Sequence, residues 1–372
     1  MAKYEIKDGV GIIPEGTTVI ESAAFKLCDE LTSVVIPNTV TKIKYDAFYK
    51  CTGLTNIIIP NSVTEIESGA FAYCTGLTSI VIPASVTKLG DIHFYLGGCT
   101  NLTKIVVAEG NPKYDSRDNC NAIIETESNE LVAGCATTVI PDSVTSIRPW
   151  AFHNCDQLET IAIPASVKKL SRDCFTGCPY LKNITIAEGN EVYDSRNNCN
   201  AIIRTEDNVL IVGGTETVIP DSVTEIGPFA FDHRAGLKKI VTPDSVTKIG
   251  DLAFNECSGL TDIVIPASVT TLGDGAFSGC ANLKTASVLG PVKALTETFS
   301  SCKALNTITF GAGIKKIERA FPYDSGSLYD AKEDYYLKTI NVPAKKANYY
   351  KTRLPEKLHS IIVELPAEKA KK

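Results

Sequence analysis

A phenylalanine recurs along this chain at a fixed step. The residues are Phe25, Phe48, Phe71 and Phe94, then Phe152 and Phe175, then Phe231, Phe254 and Phe277, and finally Phe299 and Phe321. Within the first three runs the step is 23 residues, and the last two steps are 22. Eleven of the 13 Phe residues hold this register, so it is not chance. A fixed period of about 20–30 residues marks a solenoid, in which each unit buries its apolar face only against its neighbours. The 372 residues therefore do not imply two or three globular domains, because a solenoid lengthens by stacking.

Each unit has the same parts. Leu77-Thr78-Ser79-Ile80-Val81-Ile82-Pro83 reads as a strand in which Ile80 and Ile82 face one way and Ser79 and Val81 the other. Pro83 closes it, since proline cannot donate to a sheet ladder. A short extended piece rich in β-branched residues follows, Ser85-Val86-Thr87-Lys88-Leu89. The segment carrying Ala70-Phe71 and ending near Cys74 reads as one helical or 3-10 turn, and Gly76 releases the chain into the next strand. The inward set is Val63, Ile66, Ala70, Phe71, Leu77, Ile80 and Ile82. Strand copies run from Leu31–Pro37 to Leu337–Pro343, about eleven coils.

Two steps are longer, 58 residues from Phe94 to Phe152 and 56 from Phe175 to Phe231. Both hold the same insertion. Tyr114-Asp115-Ser116-Arg117 matches Tyr193-Asp194-Ser195-Arg196, and Asn119-Cys120-Asn121-Ala122 matches Asn198-Cys199-Asn200-Ala201, at an offset of 79. Ala122–Thr126 and Leu131–Ala133 read as a hairpin. The expected organisation is one solenoid over 1–343 with hairpin inserts near 108–136 and 187–215, a C-terminal cap over 344–365, and a tail over 366–372. The cap is read as a short helix, Ala344–Leu354, and a last strand, His359–Leu365.

The composition excludes some functions. A net charge of −6 disfavours nucleic acid, whose binding by counterion release needs a basic face. No run approaches the ~20 apolar residues of a membrane-spanning helix. The first residues, Met1-Ala2-Lys3-Tyr4-Glu5-Ile6-Lys7-Asp8, are too charged for a signal peptide. The expected location is the cell surface or medium if an export signal has been removed, and the cytoplasm otherwise.

Leu-x-x-Ile-x-Ile-Pro, then Val-x-x-Ile, then Ala-Phe-x-x-Cys, in a 23-residue unit, resembles the BspA-like leucine-rich repeat known from treponemal and Bacteroides-group surface proteins. The match covers roughly residues 10–365, and the inserts look like an elaboration seen in that family. The resemblance implies an α/β leucine-rich-repeat solenoid, right-handed, mostly β with short helical or 3-10 turns, with a parallel sheet on the concave side. It also implies binding, often adhesion to host proteins or surfaces, and not catalysis. It carries no site residues.

Side-chain chemistry narrows the candidate sites. Of the 13 cysteines, eight lie three residues after an anchor: Cys28, Cys51, Cys74, Cys155, Cys178, Cys257, Cys280 and Cys302. They read as a column of small buried side chains, and Arg234 at the same position speaks against a bridging or metal role. No Cys-x-x-Cys pair exists to suggest zinc. His93, His153, His233 and His359 share no repeat position. Asp115-Ser116-Arg117-Asp118-Asn119 does not follow a calcium-loop order and reads as a turn. No cofactor, metal or catalytic constellation is expected. The remaining candidate is the outward strand face: Ser33 and Val35, Asn56 and Ile58, Ser79 and Val81, Lys104 and Val106, continued by Ala162, Val241 and Val264. Thr32, Thr55, Thr78 and Thr103 flank it with hydroxyls. The chain thus reads as a monomeric, non-enzymatic module that binds a protein or glycan, on a host surface or elsewhere. The alternative is an intracellular scaffold or inhibitor using the same face.

Overall fold

The structure is a computed structural model and describes residues 3–90, 96–311, 313–321 and 337–366. The anchor expected at Phe94, the histidine His93, the polar loop over 322–334 and the tail beyond residue 366 lie outside the described residues. The chain forms two compact units, one of Met1–Pro179 with Ile186–Glu191 and one of Tyr180–Thr185 with Val192–Lys372. Each is a β-solenoid of stacked coils with almost no helix.

In the first unit, face strands Val10–Ile12 and Ser33–Val35 pair in parallel with Ile12 opposite Val35. Ser79–Ile82 and Lys104–Val107 do the same with Val81 opposite Val106. Glu5–Lys7 pairs antiparallel with Val10–Ile12 and covers the edge that the first coil leaves open. A second row of two-residue strands, Val19–Ile20, Lys42–Ile43, Glu65–Ile66 and Lys88–Leu89, runs parallel through four coils. In each coil the aliphatic residue of that pair is buried, Ile20, Ile43 and Ile66 completely. The β-branched content of these segments suits a pleated, half-buried surface.

The anchor rings close the third side. Phe25, Phe48 and Phe71 are fully buried and stack nearly parallel at 5.3 and 5.4 Å. Tyr4 lies over Phe25 at 5.6 Å, where the ring of a preceding coil would be, and the Lys3 amide donates to the Ala24 carbonyl at 2.7 Å. Phe152 and Phe175 form a further pair at 5.0 Å. In the second unit Phe231, Phe254, Phe277 and Phe299 stack at 4.7, 4.9 and 5.8 Å.

The segment around each anchor is a run of tight turns and not the helical or 3-10 turn expected from its spacing. Residues two before and two after the anchor have positive φ: Asp46 and Lys50 around Phe48, Phe229 and His233 around Phe231, Leu252 and Glu256 around Phe254. Such a conformation is costly for residues with a Cβ. It is held here because it turns alternate amides toward the next coil. Ala23, Phe25 and Leu27 donate to the carbonyls of Tyr45, Ala47 and Tyr49 at 3.0, 2.7 and 2.9 Å, and Asp46, Phe48 and Lys50 repeat the pattern one coil on. A helical turn would have spent those amides within its own coil.

The cysteine column has a polar role beyond the small buried filler expected. No disulfide joins any of the 13 cysteines. Cys51 donates its S–H to the Phe25 carbonyl at 2.9 Å, Cys74 to Phe48 at 3.1 Å, and Cys257 to Phe231 at 3.0 Å. Cys99, Cys178, Cys280 and Cys302 do likewise. Each thiol thus adds a donor from the following coil to an anchor carbonyl. Arg234 fits the same rule: fully buried, it donates from Nε to the Gly213 carbonyl at 2.8 Å.

The inserts enter the stack as coils of their own. In the first unit Ala122–Glu125 and Glu130–Gly134 form the hairpin, and its second strand pairs in parallel with Ser146–Ile147, which pairs with Lys169–Leu170. Leu131 stands opposite Ile147, so the hairpin extends the row of short strands. The second unit repeats this with Ala201–Arg204, Val209–Gly213 and Glu225–Ile226. Gly134 and Gly213 lie against the edges of the Phe152 and Phe231 rings, and a Cβ there would come within 2.3 and 2.1 Å of them. These coils carry glycine where others carry a ring.

At the C-terminal end, Thr339–Val342 joins the face ladder and pairs with Ile362–Glu364. The cap helix is shorter than expected, Ala347–Lys351, and a 3-10 turn, Glu356–Ile361, takes part of the expected last strand. Tyr350 of that helix is fully buried, stacks on Phe310 at 5.1 Å and donates to the Gly311 carbonyl at 2.6 Å.

Two measurements check this packing. Phe48→Ala empties the layer between Phe25 and Phe71 and costs about 3–5 kcal/mol by urea unfolding; a loss below about 1 kcal/mol contradicts the stacked register. Burial pushes the thiols of Cys51, Cys99 and Cys257 up to about 12. Since the thiolate is the reactive form, the native chain at pH 8 leaves these three unlabelled by an aromatic disulfide reagent, and unfolding in guanidinium releases them. Labelling of the native chain at the rate of an exposed cysteine contradicts the buried column.

Candidate functional site

The outward strand positions form a row on the surface of each unit. In the first unit Val35, Ile58 and Val81 are 62, 74 and 49% exposed, and Val106 is half-buried. Beside them Asn56 and Lys104 are exposed and Ser33 and Ser79 are half-buried. The ladder sets Ser79 opposite Lys104 and Val81 opposite Val106. Exposure follows from the two-residue period: Ile80 and Ile82 are buried in the same strand that presents Val81. Exposed apolar rows are ordinary when short and mark interaction sites when contiguous.

Three of the four flanking hydroxyls are already engaged. Thr32 donates to the Gly9 carbonyl at 3.0 Å, Thr55 to Thr32 at 3.3 Å and Thr103 to Thr78 at 3.4 Å. They reinforce the coil-to-coil ladder, and their chemistry is spent there.

The row holds members that the repeat spacing did not reveal. Ile12 begins it in the first unit at 42% exposure. Val139 and Val218, in the insert coils, are each 72% exposed. Their signal is Val-Ile-Pro-Asp-Ser-Val at 139–144 and at 218–223, a copy of the strand's end without its leucine. In the second unit the row runs through Val218, Val241 and Val264, then turns polar, with Ser287, Thr309 and Asn341 in register, and ends at Val363.

Four face segments form no strand pairing with either neighbour, residues 54–60 and 137–141 in the first unit and 216–220 and 237–243 in the second. They present Ile58, Val139, Val218 and Val241, the most exposed residues of the row. In the second unit, residues 217–221 and 239–245 enclose a recess of about 830 Å³ lined by Val218, Val241, Lys239, Asp221, Asp244 and Ser245. The buried hydroxyls of Thr242 and Ser245 have no hydrogen-bond partner.

The other sequence candidates are structural. Arg117 pairs bidentately with Asp115, through Nε at 2.8 Å and Nη2 at 2.6 Å, and reaches Asn129 and Ser143. Arg196 repeats the arrangement with Asp194, Asn208 and Ser222. The Asp-Ser-Arg motif therefore ties the insert's turn to its hairpin, with the carboxylate taken by the guanidinium. Asp232, buried beside His233 at 2.9 Å, holds the imidazole above its usual pKa through a hydrogen bond. His359 meets the Leu354 carbonyl within the cap. Among the described residues no group of three or more His, Cys, Asp or Glu side chains could hold a metal ion, and no helix is long and apolar enough to cross a membrane.

Solved structures of bacterial repeat proteins are similar to this chain. The chain is similar to a leucine rich cell surface protein from Faecalibacterium prausnitzii, 25% identical over 90% of this chain and 81% of that one, with a TM-score of 0.52. A leucine-rich repeat protein from Eubacterium ventriosum is 22% identical over 91% and 84%, with a TM-score of 0.49. The pneumococcal vaccine antigen PcpA is 18% identical over 95% and 86%, with a TM-score of 0.48. No curated protein sequence matches the chain. The profile described as "BspA type Leucine rich repeat region" matches residues 11–123, 124–204 and 214–328, in six copies. Matched by that profile over most of its length, the chain belongs to the BspA-type leucine-rich-repeat family.

Proposed function

We propose that this chain is a non-enzymatic recognition module that binds a protein or glycan partner on its outward strand face, displayed at a cell surface. The observation that carries the reading is the row of exposed aliphatic side chains, Ile12, Val35, Ile58 and Val81, on successive stacked coils. Ser33, Asn56, Ser79 and Lys104 beside them vary from coil to coil and supply the selectivity that a uniform aliphatic row lacks. The description of the Faecalibacterium protein as a cell surface protein supports the location.

A second reading, an intracellular scaffold or inhibitor using the same face, is favoured by the cysteine column. Its sulfurs act as S–H donors, a role that reduced thiols fill and that suits a reducing compartment. Fractionation of the native host cell separates the two readings.

The face is tested with an array of matrix proteins and glycans. Val81→Asp weakens the partner found there by about tenfold or more, since a desolvated charge replaces an apolar contact. The variant keeps the wild-type circular dichroism and melting temperature, because Val81 touches solvent and not the core. Unchanged affinity removes the strand face from consideration.

A further inference from the structure

We propose that the recess between residues 217–221 and 239–245 is a docking site for an extended peptide segment of a partner protein, one that presents an aliphatic side chain beside a basic one. The proposal rests on the strand-face reading above and names the chemistry of its partner at one place.

Four observations concern this recess and the strand behind it. First, the inward position held by Ile82 and Ile265 in other coils is Thr242 here; it lies behind the recess without lining it, and its hydroxyl is buried, at 8% exposure, without a partner. Second, the Ser245 hydroxyl has no partner either, whereas the matching Ser268 donates to the Val246 carbonyl at 2.8 Å one coil later. Third, the amides of Lys238, Lys239, Ile240, Val241 and Thr242 donate to no carbonyl, while Asp262–Ile265 just beyond is paired in full register with Thr285–Val288. Fourth, the recess measures about 830 Å³, within the range of ligand sites.

The coils on the far side are closed normally. Phe231 and Phe254 stack at 4.7 Å, and Glu225–Ile226 pairs with Lys248–Ile249. The opening is therefore confined to the strand face, and the polar groups it leaves belong to an extended backbone. Backbone amides and carbonyls at strand spacing are matched by another extended backbone, as in recognition by added strands, with side-chain pockets giving specificity. Val218 and Val241, 72 and 67% exposed, supply an aliphatic floor. No aromatic ring lines the recess, so it lacks the platform on which a sugar's C–H face stacks. The rim carries Asp221 and Asp244 against Lys239, a surplus of negative charge that selects a basic residue.

The test uses the full chain and dye-labelled octapeptides that alternate valine and threonine and carry one central arginine or one central glutamate. Binding is read by anisotropy and by amide hydrogen exchange. The arginine peptide is expected to bind in the micromolar range and the glutamate peptide about tenfold more weakly. In the unliganded chain the amides of Lys238–Thr242 exchange faster than those of Ile263–Ile265, and the arginine peptide protects them. Val241→Asp lowers affinity about tenfold or more. Thr242→Ile, which restores the residue of the other coils and so keeps the fold, slows exchange in the unliganded chain and also weakens the peptide. Val35→Asp, in the other unit, changes neither. Peptide binding that protects residues around Val35 and Val81 and is abolished by Val35→Asp overturns the recess proposal and leaves the strand-face reading standing. Absence of binding by either peptide at millimolar concentration overturns the recess proposal, while the strand-face reading is judged separately on Val81→Asp. A glycan that binds the recess and is lost with Val241→Asp overturns the peptide class.

Discussion

Each coil of this protein can satisfy its backbone only through the coils beside it. The face strands, the two-residue strands and the anchor turns all send their hydrogen bonds along the stack. An unpaired buried amide or carbonyl costs about 1–3 kcal/mol, so the shape of one coil is dictated by the next. That constraint explains features that look unrelated in the sequence. The positive-φ residues around each anchor exist to aim amides outward from the coil. The threonine hydroxyls and the cysteine thiols add second donors to carbonyls that already accept a backbone amide.

The coil register was legible because the anchor rings must lie over one another, and nothing but a fixed step can place them so. The inward and outward strand positions were legible for the same reason, through the two-residue period. What could not be read is the hydrogen-bonding role of a side chain whose volume already accounts for it. Cys51 looks like a small hydrophobe in the sequence, and only its approach to the Phe25 carbonyl shows it to be a donor. Arg234 then changes from an exception into the same interaction made by a larger group. The anchor turn was misread because its spacing fits one helical turn equally well; the choice is made by the neighbouring coil's carbonyls, which lie 22 or so residues away. Val139 and Val218 were missed because the insert coils drop the leucine that marks the start of a strand copy.

The face and the stack have different sequence requirements. Buried positions tolerate little beyond Ile, Val, Leu, Ala, Phe and Cys, and they repeat. The face positions are free to differ, and they do: aliphatic and lightly polar in the first unit, and polar from Ser287 to Asn341 in the second. A departure at a buried position is therefore more informative than one on the surface. Thr242 is such a departure, and it coincides with an unpaired strand and a recess.

The anchor-turn ladder also has a direction. Within each unit the amides of Ala23, Phe25 and Leu27, and of their counterparts, point toward the following coil, and the accepting carbonyls point back. Along this edge the peptide dipoles are aligned, as they are along a helix. Each coil of the ladder is therefore unlike on its two sides, with carbonyls toward the coil before and amides toward the coil after. The Lys3 amide and the Tyr4 ring occupy the carbonyl-bearing end of the first unit. The opening strand thus takes up one carbonyl of the first anchor turn as well as covering its ring.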